Sequence, residues 1–203
     1  MITLLIVGFT VLVSYLAFGQ REMAEKLRFH PVSIVHHRQY HRMVSHVLVH
    51  AGWSHLLVNM LVLYMFGTEV ERSFLQLFGR AGALWFVLLY AGGAVASTLH
   101  ALVAHRDNYY YSAVGASGAV SATLFTYVFL YPWNKLYFFG IVPLPGILFA
   151  AGYLVYSWIM GRRKSDLVAH DAHFLGALFG ILFPVLLKPS LLGRFLDQLT
   201  GLM

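Results

Sequence analysis

Six stretches of this chain are each apolar enough, over enough residues, to be read as helices crossing a lipid bilayer: 2–19, 53–70, 82–104, 113–133, 136–160 and 172–187. A hydrocarbon core takes about 20 predominantly apolar residues per helix, in a range of roughly 17 to 25. Within lipid the backbone must satisfy its own hydrogen bonds, so runs of this kind fold as helices. The alternating ten-residue segments of a membrane β-barrel are absent. The expectation is an all-α polytopic membrane protein, a six-transmembrane-helix bundle forming a single domain over residues 1–203. Charge agrees: only 11% of residues are charged, against about 25% in a soluble domain. The first run starts without a basic segment and ends in "SYLAFGQ" without a small-residue cleavage site, so it reads as a retained span.

Several function classes fall away early. There are no cysteines, which excludes disulfides, thiolate chemistry and Cys-ligated metals. The formal charge of +6 sits on loop residues such as Arg162, Arg163 and Lys164, where it suits anionic lipid headgroups. No basic run is interleaved with exposed aromatics, so no nucleic-acid partner is expected. Residues 20–52 mix His and Arg with Val, Met and Leu, which fits a folded loop partly embedded in the interface between the first two helices. No internal repeat of the transporter kind is visible.

Polar residues within apolar runs are costly, face a bundle interior or cavity, and mark function. His55 and Asn59 stand in the second run, His100 in the third, Ser117 and Ser121 in the fourth, His173 in the sixth. Spans alternate direction, so the starts of the even-numbered ones share one membrane level, and His55, Ser117 and His173 all lie near such starts. His55 and Asn59 are four apart and share a helix face. His173, Gly176 and Gly180 form one stripe, and a Gly-xxx-Gly surface lets two backbones approach closely. The matching small residues are Gly115 and Gly118 in "GASGAVSA", so contact between the fourth and sixth spans would put His173 beside Ser117. A serine becomes nucleophilic when a base within hydrogen-bond reach takes its proton, and His173 is the natural base and later acid. Asn59, His55 and the Ser117 backbone N–H are candidate oxyanion donors. His170 competes with His173 as base, and the glycine spacing favours His173. Asp171, about 200° around the helix from His173, reads as an N-cap and not as a third catalytic member. Acyl transfer, and hydrolysis in particular, is the reaction class these parts fit.

Taken together, these residues resemble the rhomboid family of intramembrane serine proteases. "HVLVHAGWSHLLVNM" is similar to the family's His-rich entry to the second span, giving His50, His55 and Asn59. "GTEVE" resembles its Gly-x-x-x-Glu ending at Gly67 and Glu71, "GASG" its nucleophile motif at Ser117, and "AHFLGALFG" its pattern at His173, Gly176 and Gly180. The resemblance implies a Ser–His dyad without cofactor or metal, with His55 and Asn59 assisting at the oxyanion. It implies substrates that are transmembrane segments of other proteins, cut near the membrane surface after small residues. A mobile fifth span and the 161–169 loop would control access. Two departures stand out. His41 precedes Arg42 where the family often has Trp-Arg, and Ser121 occupies a position where some members stack an aromatic on the catalytic histidine. Arg42, His50 and Glu71 are expected to be structural polar residues.

Other readings are an inactive rhomboid-like protein that binds membrane clients, a haem or metal protein using His170 and His173, and a transporter hinted at by "VPLPG". The first would typically lack Ser117 or His173, the second lacks carboxylate or thiolate ligands at suitable spacing, and the prolines of the third fall at a helix start, where they are tolerated. The resemblance implies a cytoplasmic N-terminus in the cell (inner) membrane with the site opening to the extracytoplasmic side. The full set of basic residues runs against that orientation, with nine outside and five inside. With Arg21, Lys26, Arg28, Arg38 and Arg42 of the first loop set aside, five (Arg72, Arg80, Lys135, Lys188, Arg194) stand inside and four (Arg106, Arg162, Arg163, Lys164) outside, which does not choose.

Overall fold

The computed structural model describes residues 1–138, 141–163 and 170–201. Lys164 and most of the 161–169 loop lie outside the described residues, as do the side chains of Arg162 and Arg163. The chain is mostly helical. Helix α1 spans Ile2–Gly19; α2 (Arg21–Leu27), α3 (Pro31–Val35) and α4 (Arg42–Ser45) fold the first loop. Then come α5 (Trp53–Val62), a π-helical turn (Leu63–Gly67), α6 (Thr68–Phe78), α7 (Gly82–Ala104) and α8 (Ser117–Leu130). A hairpin of β1 (Lys135–Phe138) and β2 (Val142–Pro145) precedes α9 (Gly146–Arg163), α10 (His170–Leu187) and α11 (Ser190–Thr200).

Among the described residues, three helical segments are long and apolar enough to cross a membrane: Ile2–Gly19, the continuous Trp53–Ala104 and His170–Leu187. The second reverses at Gly79, whose φ of +60° suits glycine, and Gly82 packs against the Phe74 backbone so that α6 lies along α7. The apolar helices Ser117–Leu130 and Gly146–Gly161 are shorter. At 1.5 Å per residue, α8 is only about 21 Å long. It is buried along nearly its whole length, packed by α7 and α10.

The structure departs from the sequence expectations at three places. Residues 113–116 are not helical, because Ala113 and Phe29 exchange backbone hydrogen bonds of 3.1 and 2.9 Å that hold the segment extended. Residues 136–138 and 142–145 lie in the strands of the hairpin instead of the start of a helix, and "VPLP" is its second strand: Pro143 and Pro145 offer no N–H, and each disfavours helix at the residue before it. Asp171 does not cap α10 from outside but lies in its first turn, with a carboxylate oxygen 3.2 Å from His100 Nδ1.

The first loop is folded around Phe29, Val32, Ile34, Val47 and Val49, all buried. Arg42 ties it together, donating to the carbonyls of Glu25 (2.7 Å) and Arg28 (2.9 Å) and to the Gln39 side chain (2.6 Å). Glu71, buried in α6, accepts from Ile2 N–H (2.7 Å), Thr3 N–H (2.9 Å) and the Thr3 hydroxyl (2.7 Å), pinning the start of α1. A carboxylate is well placed there, because a helix N-terminus carries unsatisfied donors and partial positive charge.

Candidate active site

Ser117 is the first residue of α8, so its backbone N–H belongs to the first-turn donors that a helix cannot satisfy internally. The segment leading to it is held by the first loop. Gly115 N–H donates to the His46 carbonyl (3.0 Å) and Ala116 N–H to His50 Nε2 (3.3 Å). Gly115 has φ +111°, and a Cβ there would lie 2.4 Å from His55 Cε1. The position therefore requires glycine on two counts: the backbone conformation and the His55 ring resting against it.

His50 is fixed in one tautomer. The Ser14 hydroxyl donates to the Leu48 carbonyl (2.7 Å), so at its 2.9 Å contact with His50 Nδ1 it accepts. Nδ1 then carries the proton and Nε2 is free to accept from Ala116. Burial, with His55 and His46 nearby, holds the His50 pKa down to about 4. Burial does the same for His46, also to about 4, opposed only by its hydrogen bond to the Arg42 carbonyl. Both rings are neutral at pH 7.

α8 and α10 touch backbone to backbone. A Cβ on Gly176 would lie 2.2 Å from the Gly118 carbonyl oxygen, and one on Gly180 2.1 Å from that of Ala122. Gly118 itself faces Ser97 of α7, whose Oγ would be 2.2 Å from an added Cβ. Across this contact His173 Nε2 lies 2.8 Å from Ser117 Oγ. The His170 ring, buried, stands edge-on to His173 at 6.2 Å between centroids and to Tyr156 at 5.4 Å. On α5, the His55 ring is edge-on to His50 at 5.0 Å, and Asn59 Nδ2 donates to the His55 carbonyl (2.8 Å). An amide nitrogen has two N–H groups, so one remains for another acceptor. Among the described residues no three of His, Asp and Glu converge as metal ligands.

Sequence reasoning did not find Ser14, Ser97 or Tyr153. Tyr153, on α9, stacks on His173 at 6.3 Å and 28° between planes, and its hydroxyl shares a 3.1 Å hydrogen bond with Ser121. No spacing signal in an apolar helix singles it out.

A buried short helix that opens on a serine paired with a histidine, inside a multi-pass helical membrane protein, defines the class. A family model described as "Rhomboid domain" matches residues 37–190, and the chain belongs to the rhomboid family. It is similar to "RHOMBOID-like protein 12, mitochondrial" of Arabidopsis thaliana, 26% identical over 68% of this chain and 43% of that one. It is 33% identical to "Presenilin-associated rhomboid-like protein A, mitochondrial" of Danio rerio, over 68% of this chain and 35% of that one. To "Putative rhomboid protease YdcA" of Bacillus subtilis (strain 168) it is 31% identical over 45% and 42% respectively. The matched region spans less than half the length of each of these three relatives.

Proposed function

We propose that this protein is an intramembrane serine endopeptidase that cleaves peptide bonds in or near transmembrane segments of other membrane proteins. The observation that carries the reading is the 2.8 Å approach of Ser117 Oγ to His173 Nε2, within reach for general-base activation of a hydroxyl. Residues 1–203 then form one six-span domain, with the helices beginning at Ile2, Trp53, Gly82, Ser117, Gly146 and His170 crossing the bilayer. The first loop rests at the interface on the side of the site. A helix of about 21 Å is shorter than the roughly 30 Å hydrocarbon core, so Ser117 starts below the membrane surface and is reached from the side opposite the N-terminus.

Ser117 donates its hydroxyl proton to His173 as the oxygen attacks the scissile carbonyl. The oxyanion is met by the Ser117 N–H, the second Asn59 N–H and His55. His173 returns the proton to the leaving amine, giving an acyl-enzyme, and then deprotonates the water that releases the product. Asp171 is engaged with His100, so it does not serve as a carboxylate partner to the dyad. Gly115, Gly118, Gly176 and Gly180 set the close packing that brings the two helices together, while His50, Arg42 and Glu71 hold the surrounding frame. Membrane lipids surround the domain, and the mechanism calls for no cofactor or metal. Relatives named for mitochondria stand beside a bacterial one, so kinship does not assign this chain to a cell (inner) membrane.

The test is cleavage of a single-span substrate by purified protein in detergent. Wild type should cut, and Ser117→Ala and His173→Ala should not. Cleavage persisting in His173→Ala would move the base to His170. A folded wild type that binds single-span proteins without cutting them would make the protein a client-binding member of the family.

A further inference from the structure

Ser121 lies one turn beyond Ser117 on α8, and its small side chain leaves the face of His173 to be covered from elsewhere. The ring that covers it comes from α9. Tyr153 stacks on His173 with planes 28° apart, and the same ring is backed by Phe125 of α8 at 5.5 Å and Phe149 of α9 at 5.8 Å. Its hydroxyl reaches the Ser121 Oγ at 3.1 Å. The imidazole plane is thus limited on one face by an aromatic ring that is packed on two sides and tethered at its tip.

We infer that Tyr153 is a positioning residue for His173: its ring restricts rotation of the imidazole so that Nε2 stays on Ser117 Oγ, and Ser121 restricts rotation of the Tyr153 ring in turn. The inference rests on the proposed Ser117–His173 dyad. One consequence is that α9, which supplies no group to the chemistry, sets the orientation of the base. A productive alignment then requires α9 to sit against α10 at the level of Tyr153, and any displacement of α9 loosens His173.

The bland alternative is that Tyr153 only fills space between α8, α9 and α10. The two differ in kinetics. Positioning acts on the chemical step, where misplacement by about 1 Å can cost on the order of 100-fold, and leaves substrate binding alone. Single-span substrate cleavage should be measured with Tyr153→Leu, Tyr153→Phe, Ser121→Ala and the Tyr153→Phe/Ser121→Ala pair, with thermal unfolding in detergent for each. Tyr153→Leu should lower kcat by roughly 10- to 100-fold with KM within about threefold, and Tyr153→Phe should recover most of the loss. Ser121→Ala removes the tether alone and Tyr153→Phe removes it together with the hydroxyl's contact to Ser157, so each should lower kcat by about threefold and the pair by no more than Tyr153→Phe alone. That non-additivity reads the inference even if Tyr153→Leu fails to fold. A folded Tyr153→Leu with kcat within about twofold of wild type would overturn it. Additive tether variants, or ones without effect, would do the same. Failure of the dyad reading looks different: wild type would not cut, or Ser117→Ala would cut as well, and the present inference would fall with it.

Discussion

Replacing Gly176 by alanine perturbs the α8–α10 contact where it matters most. The added Cβ would lie 2.2 Å from the Gly118 carbonyl oxygen, 3.0 Å from its carbonyl carbon and 3.2 Å from its Cα, all of them backbone atoms that no rotamer change can move. Ordinary contact for a Cβ begins near 3.4 Å, so the helices must part by about 1.2 Å at this level or slide past one another. Gly176 is one turn from His173, and the Ser117–His173 hydrogen bond spans the same seam at 2.8 Å. Opened by that amount it would approach about 4 Å, beyond the reach of proton transfer. The expected result is a loss of about 100-fold in kcat, with about 1 to 3 kcal/mol of destabilisation from overpacking. Gly180→Ala supplies the control. Its Cβ meets the Ala122 carbonyl at 2.1 Å, an equal insult one turn further from His173, so it should lower stability similarly and kcat less. The assay pairs single-span substrate cleavage with thermal unfolding in detergent. A Gly176→Ala protein that unfolds and cleaves like wild type would refute the reasoning, as would one that loses stability alone.

Three further outcomes follow from the frame around the site. His46 and His50, with pKa values near 4 when folded and 6.5 as the ordinary value, contribute stability that is fully present above pH 6.5. It is lost as pH falls from there through about 4, on the order of 3 kcal/mol for each; thermal unfolding between pH 8 and 4 checks this, and a flat profile contradicts it. Glu71→Ala removes the acceptor of three hydrogen bonds at the start of α1 and should cost about 3 kcal/mol, read as a fall in unfolding temperature that Glu71→Gln partly avoids. Gly115→Ala combines a positive φ with a Cβ directed into the His55 ring. It should cost about 1 to 2 kcal/mol of strain and reduce cleavage further than that loss accounts for, which parallel activity and stability measurements on one sample would show.

Much of this was legible because lipid imposes two simple rules, length and apolarity, and because a polar residue inside such a run needs a reason. Those rules pick out His55, Asn59, His100, Ser117, Ser121 and His173 without any knowledge of contacts. The glycine stripe of α10 is likewise a local pattern with one structural use. What escaped is set by long-range pairing. α8 begins at Ser117 and not at residue 113 because Phe29, His46 and His50 hold the preceding segment, and no property of 113–116 announces that. Tyr153 is one apolar-helix aromatic among several until Ser121 and His173 are seen around it. Two features were readable and misread or passed over. Pro143 and Pro145 were better evidence for extended chain than for a helix start. Leu191, Leu192, Phe195 and Leu196 mark α11 as amphipathic, burying Leu191 and stacking Phe195 on Phe129.

The proposed chemistry stands on Ser117 being a nucleophile activated by His173. The most direct measurement is treatment of the folded protein with a fluorophosphonate, followed by mass spectrometry to locate the adduct. One phosphonylated residue is expected, Ser117, with labelling lost in Ser117→Ala and slower by about 100-fold or more in His173→Ala. No adduct on folded wild-type protein, or labelling of Ser117 at an unchanged rate without His173, would contradict it.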